Sequence, residues 1–285
     1  MGLKAIGLIV FLFICNNAFA KESAIKVCGE PWAPYFYSLS SDEKLEDKTP
    51  QGVNVDLFKA ISDIIDIEFE PQLIPWSRCL KNTENYKSIG KHEVASDATF
   101  NDSRAEHYYF VGPLYSAPSS LFFSYSEYPN GVVNPVTQKL VTSMDELKHF
   151  KICGMQGWNY EIYTSAYGIP QENIIYSTHN NIDSLLQLLA HGRCNVFETQ
   201  ASLIAGGLAM GKVTHFEEVG CQKLDMAPVN FYLMVSKQSP RAEKLVTLIN
   251  QAIISLKQSG RHQEIVEAHI SSVLGGKEQS LIACM

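Results

Sequence analysis

The sequence is short of the groupings from which most catalytic and metal centres are built. No two of its cysteines are spaced C-x-x-C, no His/Cys cluster has metal-ligand spacing, and neither a phosphate-cradling glycine loop nor a Ser-His-Asp signature is present. No metal and no cofactor is expected. Positive charge is in deficit as well: 23 Lys and Arg face 30 Asp and Glu, a formal net charge of −7. That balance argues against nucleic acid or an anionic membrane surface as a partner. It leaves a small ligand open, because a site can be locally cationic within an acidic protein. Beyond the N-terminal segment, no apolar run approaches the roughly 20 residues of a membrane-spanning helix. Short-period repeats and low-complexity segments are missing too.

What is present begins with a compartment signal. Met1–Lys4 is a short cationic start, Ala5–Cys15 an unbroken apolar run, and Ala18-Phe19-Ala20 puts small residues where a signal peptidase reads. Residues 1–20 therefore read as a secretory signal cleaved after Ala20. The run is too short to persist as a membrane span. Cys15 follows the bulky Ile14, whereas a lipid-modified cysteine follows a small residue, so Cys15 belongs to the discarded signal. Six cysteines remain: Cys28, Cys79, Cys153, Cys194, Cys221 and Cys284. An even number in an oxidising compartment favours disulfides. Six cysteines allow about 15 pairings, and buried free thiols are the alternative. A 46% hydrophobic content supports a real core, as one large or two modest domains.

Strand and helix alternate along the chain. Residues 24–28 read as a strand; Val53, Leu57, Ile61 and Ile64 fall at helical spacing, with Asp56 and Lys59 off that face; residues 67–74 alternate as a strand. A helix is expected over 76–85, a strand over 94–99, a turn or short helix over 101–107, and extended chain over 108–111. The same grammar then restarts. Ser143 and Glu146 form a capping box. Strands at 151–155, 173–177 and 194–199 alternate with helices at 160–167 and 182–190. Such alternation predicts mainly parallel sheets covered by helices. Two series separated at 119–125 predict two lobes, followed by a strand at 229–236 and helices over 240–254 and 262–269. If this last part packs on the first lobe, the chain crosses twice and leaves a hinge with a cleft. The first lobe is then 24–118 plus 228–272, the second 119–227, and 273–285 a tail.

Seven fragments fall in a telling order: Trp32-Ala-Pro-Tyr35, Gly52-Val-Asn-Val-Asp-Leu57, Pro75-Trp-Ser-Arg78, Asp97-Ala-Thr-Phe-Asn-Asp-Ser-Arg104, Phe110-Val-Gly-Pro-Leu-Tyr115, Met155-Gln-Gly157 and Gly192-Arg-Cys-Asn195. Each is weak alone. Their joint order and spacing make the chain resemble the family 3 extracellular solute-binding proteins over nearly all of its exported length. The resemblance implies the type II periplasmic-binding fold, α/β in both lobes with a two-strand hinge. It implies a periplasmic, monomeric protein that closes on a small polar, carboxylate-bearing, amino-acid-like ligand for an ABC importer or a sensory partner. No enzymatic activity is implied. The alternative comes from dehydratases that resemble the family, and would use a cleft carboxylate from among Glu30, Asp97 and Glu198.

The resemblance also assigns site residues. Arg104, whose guanidinium fork suits a carboxylate, matches the arginine that grips the ligand's α-carboxylate five residues after a Ser or Thr, here Thr99. The plain alternative is a surface arginine at a helix start. Asp97 falls at a usual contact position, where it would repel an anion and suit an ammonium. Trp32 and Trp76 match aromatics on either side of the ligand and would sandwich an apolar or cationic part; for Trp76, core packing is the alternative. Arg78 is expected at the surface. Gly157-Trp158-Asn159 ends a strand and opens a helix, leaving backbone N–H groups for an anion. Relatives carry small hydroxyl residues where Trp158 and Asn159 stand, so Trp158 is expected to narrow the pocket while Asn159 keeps polar capacity. Gln200 replaces the acid that pairs with the ligand's α-ammonium, which puts a standard α-amino acid in doubt. Glu198 is expected on the opposite face of its strand, restoring the charge only through a register shift or bulge.

Overall fold

The computed structural model describes residues 22–40, 44–179, 181–274 and 279–284. The expected signal and its cleavage site lie outside these residues. Among the described residues there are ten strands: β1 (Ile25–Gly29), β2 (Phe69–Leu73), β3 (Val94–Ala98), β4 (Tyr108–Ala117), β5 (Ser119–Ser124), β6 (Ile152–Gly154), β7 (Ile174–Tyr176), β8 (Val196–Gln200), β9 (Val219–Lys223) and β10 (Val229–Ser236). The helices are α1 (Val53–Ile65), α2 (Trp76–Glu84), α3 (Tyr86–Ile89), α4 (Asp102–His107), α5 (Glu161–Ser165), α6 (Ile182–Ala190), α7 (Ala201–Ala209), α8 (Ala242–Gln258), α9 (Arg261–Leu274) and α10 (Gln279–Ile282).

The strands make two five-stranded sheets, ordered β2-β1-β3-β10-β4 and β7-β6-β8-β5-β9. Both are mixed. In the first, β2, β1 and β3 are parallel while β10 is antiparallel to β3 and β4. In the second, β7, β6 and β8 are parallel while β5 is antiparallel to β8 and β9. The reversed strand is in each case the one that brings the chain in from the other sheet. β5 follows β4 across Pro118 alone, and β10 follows β9 after residues 224–228. Neither link holds a crossover helix of the kind that parallel neighbours need.

Burial follows the sequence patterns closely. Helix α1 turns Val53, Leu57, Phe58 and Ile61 into the first core, with Tyr35, Leu114, Leu245 and Ile249. Strand β5 is buried along its whole length, as a strand covered on both faces should be. Ser143 and Glu146 form the expected capping box, opening a 3₁₀ helix at Met144–His149. The six cysteines among the described residues are paired: Cys28 with Cys79, Cys153 with Cys194, and Cys221 with Cys284. The free-thiol alternative is dropped. The segment expected to be a tail is packed where it is described. Val273 and Leu281 enter the second sheet's core, and Cys284 is bonded to β9. Among the described residues no helix is long and apolar enough to cross a membrane, and no group of three His, Cys, Asp or Glu could hold a metal ion.

Candidate functional site: a cleft between the two sheets

The cleft is assembled from strand ends and the loops that leave them. β1 delivers Glu30 and Trp32. Backbone bonds between Trp32 and Phe36 fold the intervening turn and hold the indole over the first core, 8% exposed. β3 delivers Ser96, Asp97 and Thr99. Asn101 then caps α4 by accepting from the Arg104 N–H at 2.7 Å. That cap sets the turn from which the Arg104 side chain comes back over Thr99, donating to its carbonyl at 3.0 Å.

The loop between β6 and α5 supplies the facing wall. Gly157 lies at φ 82°, and a Cβ there would come within 3.2 Å of the Trp76 ring, so glycine is required. Its carbonyl accepts from Trp76 Nε1 at 3.0 Å and from Arg104 at 3.1 Å. The Arg104 guanidinium lies 5.6 Å from the Trp76 ring centroid. Asn159 donates to Thr99 Oγ1 at 3.1 Å and to the Phe100 carbonyl at 2.9 Å, and accepts from Asn101 at 3.0 Å. Trp158 donates its indole N–H to Glu30 at 3.2 Å and meets Trp32 edge-on at 5.1 Å. Groups from both sheets thus interlock around a cavity of 180 Å³.

The cavity is lined mainly by apolar and aromatic side chains, with a few buried polar groups set among them. Four buried side-chain polar atoms lack a hydrogen-bond partner among the described residues, and three of them, on Trp32, Glu198 and Thr199, belong to residues lining this cavity. Buried polar groups are normally satisfied, so unpaired ones gathered around one space mark a place built for a polar occupant. Three carboxyls and one guanidinium share the wall: Glu30, Asp97, Glu198 and Arg104. Burial pushes Glu30 up to about 7, against the Trp158 hydrogen bond and with the nearby Asp97 charge. Burial also raises Asp97, although Asn54 and Tyr115 donate to its carboxylate. Glu198 is raised by burial too, with hydroxyls of Ser119 and Tyr163 acting the other way.

Every residue expected to contact ligand reaches this region. Trp32, Trp76, Asp97, Thr99, Arg104, Trp158, Asn159 and Gln200 line the cavity, and Gly157 touches two of them through its carbonyl. Arg78 is at the surface, paired with Glu46 at 2.7 Å. Two expectations need correction. Glu198 does not face away from Gln200: both line the cavity, because residues two apart in a strand share a face. No helix opens at Trp158: α5 begins only at Glu161 and is five residues long, so it offers no helix-end anion cradle at Gly157. Gln200 donates to Ser119 at 3.0 Å and is tied into its own sheet. No pattern in the sequence points to Met144, Tyr163, Tyr167, Met226 and Phe231, which reach the same cavity from separate elements.

Two mixed α/β sheets joined by short links, with a cavity between them that sets charged groups among aromatic ones, define a two-lobed ligand-binding protein. The family is shown directly: residues 25–272 match the bacterial extracellular solute-binding proteins, family 3, and the chain belongs to that family. No curated protein sequence matches it. Solved structures share the fold at low identity. A histidine kinase sensor domain with similarity to periplasmic binding proteins aligns with TM-score 0.66 and 16% identity, covering 87% of this chain and 96% of the other. An amino acid ABC transporter substrate-binding protein from Streptococcus pneumoniae, bound to L-arginine, aligns with TM-score 0.63 and 20% identity over 88% and 96% of the two chains. An ancestral amino acid-binding protein, a precursor of cyclohexadienyl dehydratase, aligns with TM-score 0.61 and 15% identity over 87% and 96%.

Proposed function

We propose that the protein is exported to the periplasm with residues 1–20 removed, and that it captures a small carboxylate-bearing, amino-acid-like molecule without transforming it. The lobes are residues 24–118 plus 228–272 and residues 119–227, and the ligand is taken between them by a monomer. The observation that carries this reading is Arg104. Its guanidinium is drawn into the cleft and donates to two backbone carbonyls, with no carboxylate partner among the described residues. A cation so placed calls for an anion. Both Asp97 oxygens already accept hydrogen bonds, so a cationic group on the ligand would meet one of the other two cleft carboxyls, Glu30 or Glu198, in preference.

Function follows from differential contact. A ligand touching both lobes binds the closed form better than the open one and shifts the population toward it. The closed shape is then what a membrane importer or a sensory partner reads. A thermal-shift screen of amino acids, short peptides, carboxylic acids and polyamines on the exported chain tests the reading. Carboxylates should raise the melting temperature, and Arg104→Ala should cost about 2–5 kcal/mol of affinity for them. Unchanged affinity in the variant would remove Arg104 from the site. One observation favours a second reading: a Glu30 carboxyl near neutrality is suited to proton transfer. A binder returns its ligand unchanged, whereas a dehydratase-like enzyme on this scaffold does not.

A further inference from the structure

The cavity does not end at Arg104 and the tryptophans. On the second-sheet side its wall also includes Met144, Tyr163, Tyr167 and Met226, together with Glu198. This wall belongs to a different core from the one that holds Trp32 and Phe231. Met144 and Tyr163 sit in the cluster built on Leu121, Ile152 and Val196, against which Tyr167 and Met226 pack. Apolar and aromatic surface thus shares this wall with a single acidic group. Tyr163 donates to Glu198 Oε2 and the Ser119 hydroxyl lies close enough to act on the same carboxyl, while Oε1 is buried and makes no hydrogen bond of ordinary geometry among the described residues. Thr199 Oγ1, one residue on, is likewise buried and unpartnered. A buried carboxyl with an oxygen lacking a well-formed hydrogen bond, set in an apolar wall, is costly unless an occupant completes it.

We infer that Glu198 is a specificity-determining residue, receiving a primary ammonium at the far end of an elongated ligand whose carboxylate lies at Arg104 and whose middle is apolar. This rests on the proposed function for the Arg104 end and adds the opposite end. The passage between them suits a methylene chain, with Tyr163 holding one carboxylate oxygen and the ammonium supplying the missing partner of the other. Burial already holds the Glu198 carboxyl above the ordinary range, and an ammonium beside it would favour the ionised form. Sites built around a buried polar partner discriminate strongly against analogues that lack it.

Calorimetry on the exported chain tests this with two matched series: β-alanine, γ-aminobutyrate, δ-aminovalerate and ε-aminocaproate against propionate, butyrate, valerate and caproate. One chain length should bind best, and there the amino acid should exceed its parent carboxylate by about tenfold or more. In Glu198→Gln that ratio should collapse toward one, while Glu198→Asp, which keeps the charge, should retain part of it. A ratio near one in the wild type, or a full ratio in both variants, would overturn the assignment. A separate arm uses propylammonium, butylammonium and pentylammonium, which need no Arg104. If carboxylates fail but these stabilise the wild type and not Glu198→Gln, the Arg104 reading falls and Glu198 stands. If neither class binds, the Glu198 assignment falls as well.

Discussion

Glu30 shows how far the cleft alters a single residue. Its carboxyl moves from an ordinary 4.5 up to about 7, mainly because burial penalises the charge. An acid raised on folding stabilises the fold below its unfolded value, and that stability is lost as pH rises toward the folded value. Between these pH values the stability of the ligand-free protein should therefore fall, by up to about 1.4 kcal/mol per pH unit from this group. Urea unfolding at a series of pH values should show the fall, and Glu30→Gln should flatten it. Asp97 and Glu198 shift in the same direction and leave a residual slope. A variant with the wild-type slope would show that Glu30 is solvated in solution. Much of this wall was legible from the sequence, since Trp32, Asp97, Thr99 and Arg104 sit at fixed spacings within short fragments. The part from Met144, Tyr163 and Met226 was not, because those residues meet only through the second sheet's tertiary packing.

Single elements carry the cleft only as well as they are anchored. Trp76 opens α2, and Cys79, one turn on, bonds that helix to Cys28 in β1. The bond closes a long loop, so its chief effect should be to restrict the unfolded chain. Cys28→Ala with Cys79→Ala should lower stability by about 2–5 kcal/mol, read from the urea midpoint. An unchanged midpoint would mean that α2 packing alone suffices. Elements with plain periodicity, such as α6 and β10, were legible to the residue at both ends. β4 runs on to Ala117 although the expected extended run stopped at 111, because Gly112 and Pro113 interrupt the alternation without ending the pairing to β10. Helix α7 escaped notice for a different reason. Its Ala-Ser-Leu-Ile-Ala-Gly-Gly-Leu-Ala run is buried over most of its surface and shows no polar face for periodicity to reveal. Gly206 is needed there because a Cβ would fall 2.5 Å from the Ala33 carbonyl in the facing lobe.

For the whole molecule, the strand links are not the only connection that closure must respect. Helix α9 places Ile265 in the first core and Val273 in the second, so one rigid element spans both sides of the hinge. Beyond it, Leu281 is buried in the second core, and the Cys284 carbonyl accepts from Ser120 at 2.7 Å while its sulfur is bonded to Cys221 in β9. Opening the cleft must separate Tyr35 from Ser202, now 2.8 Å apart, without pulling this strap from the second lobe. On the proposed hinge motion, the disulfide keeps this strap fixed to the second sheet as the lobes part. Cys221→Ser with Cys284→Ser should therefore widen the ligand-free ensemble, seen as a larger radius of gyration in X-ray scattering, and lower stability by about 2–5 kcal/mol. The same variant saturated with a ligand that binds the wild type should return to the wild-type radius, since contacts from both lobes then hold it shut. An unchanged ligand-free radius would show that the packing of α9 and α10, and not the covalent tie, sets how far the lobes part.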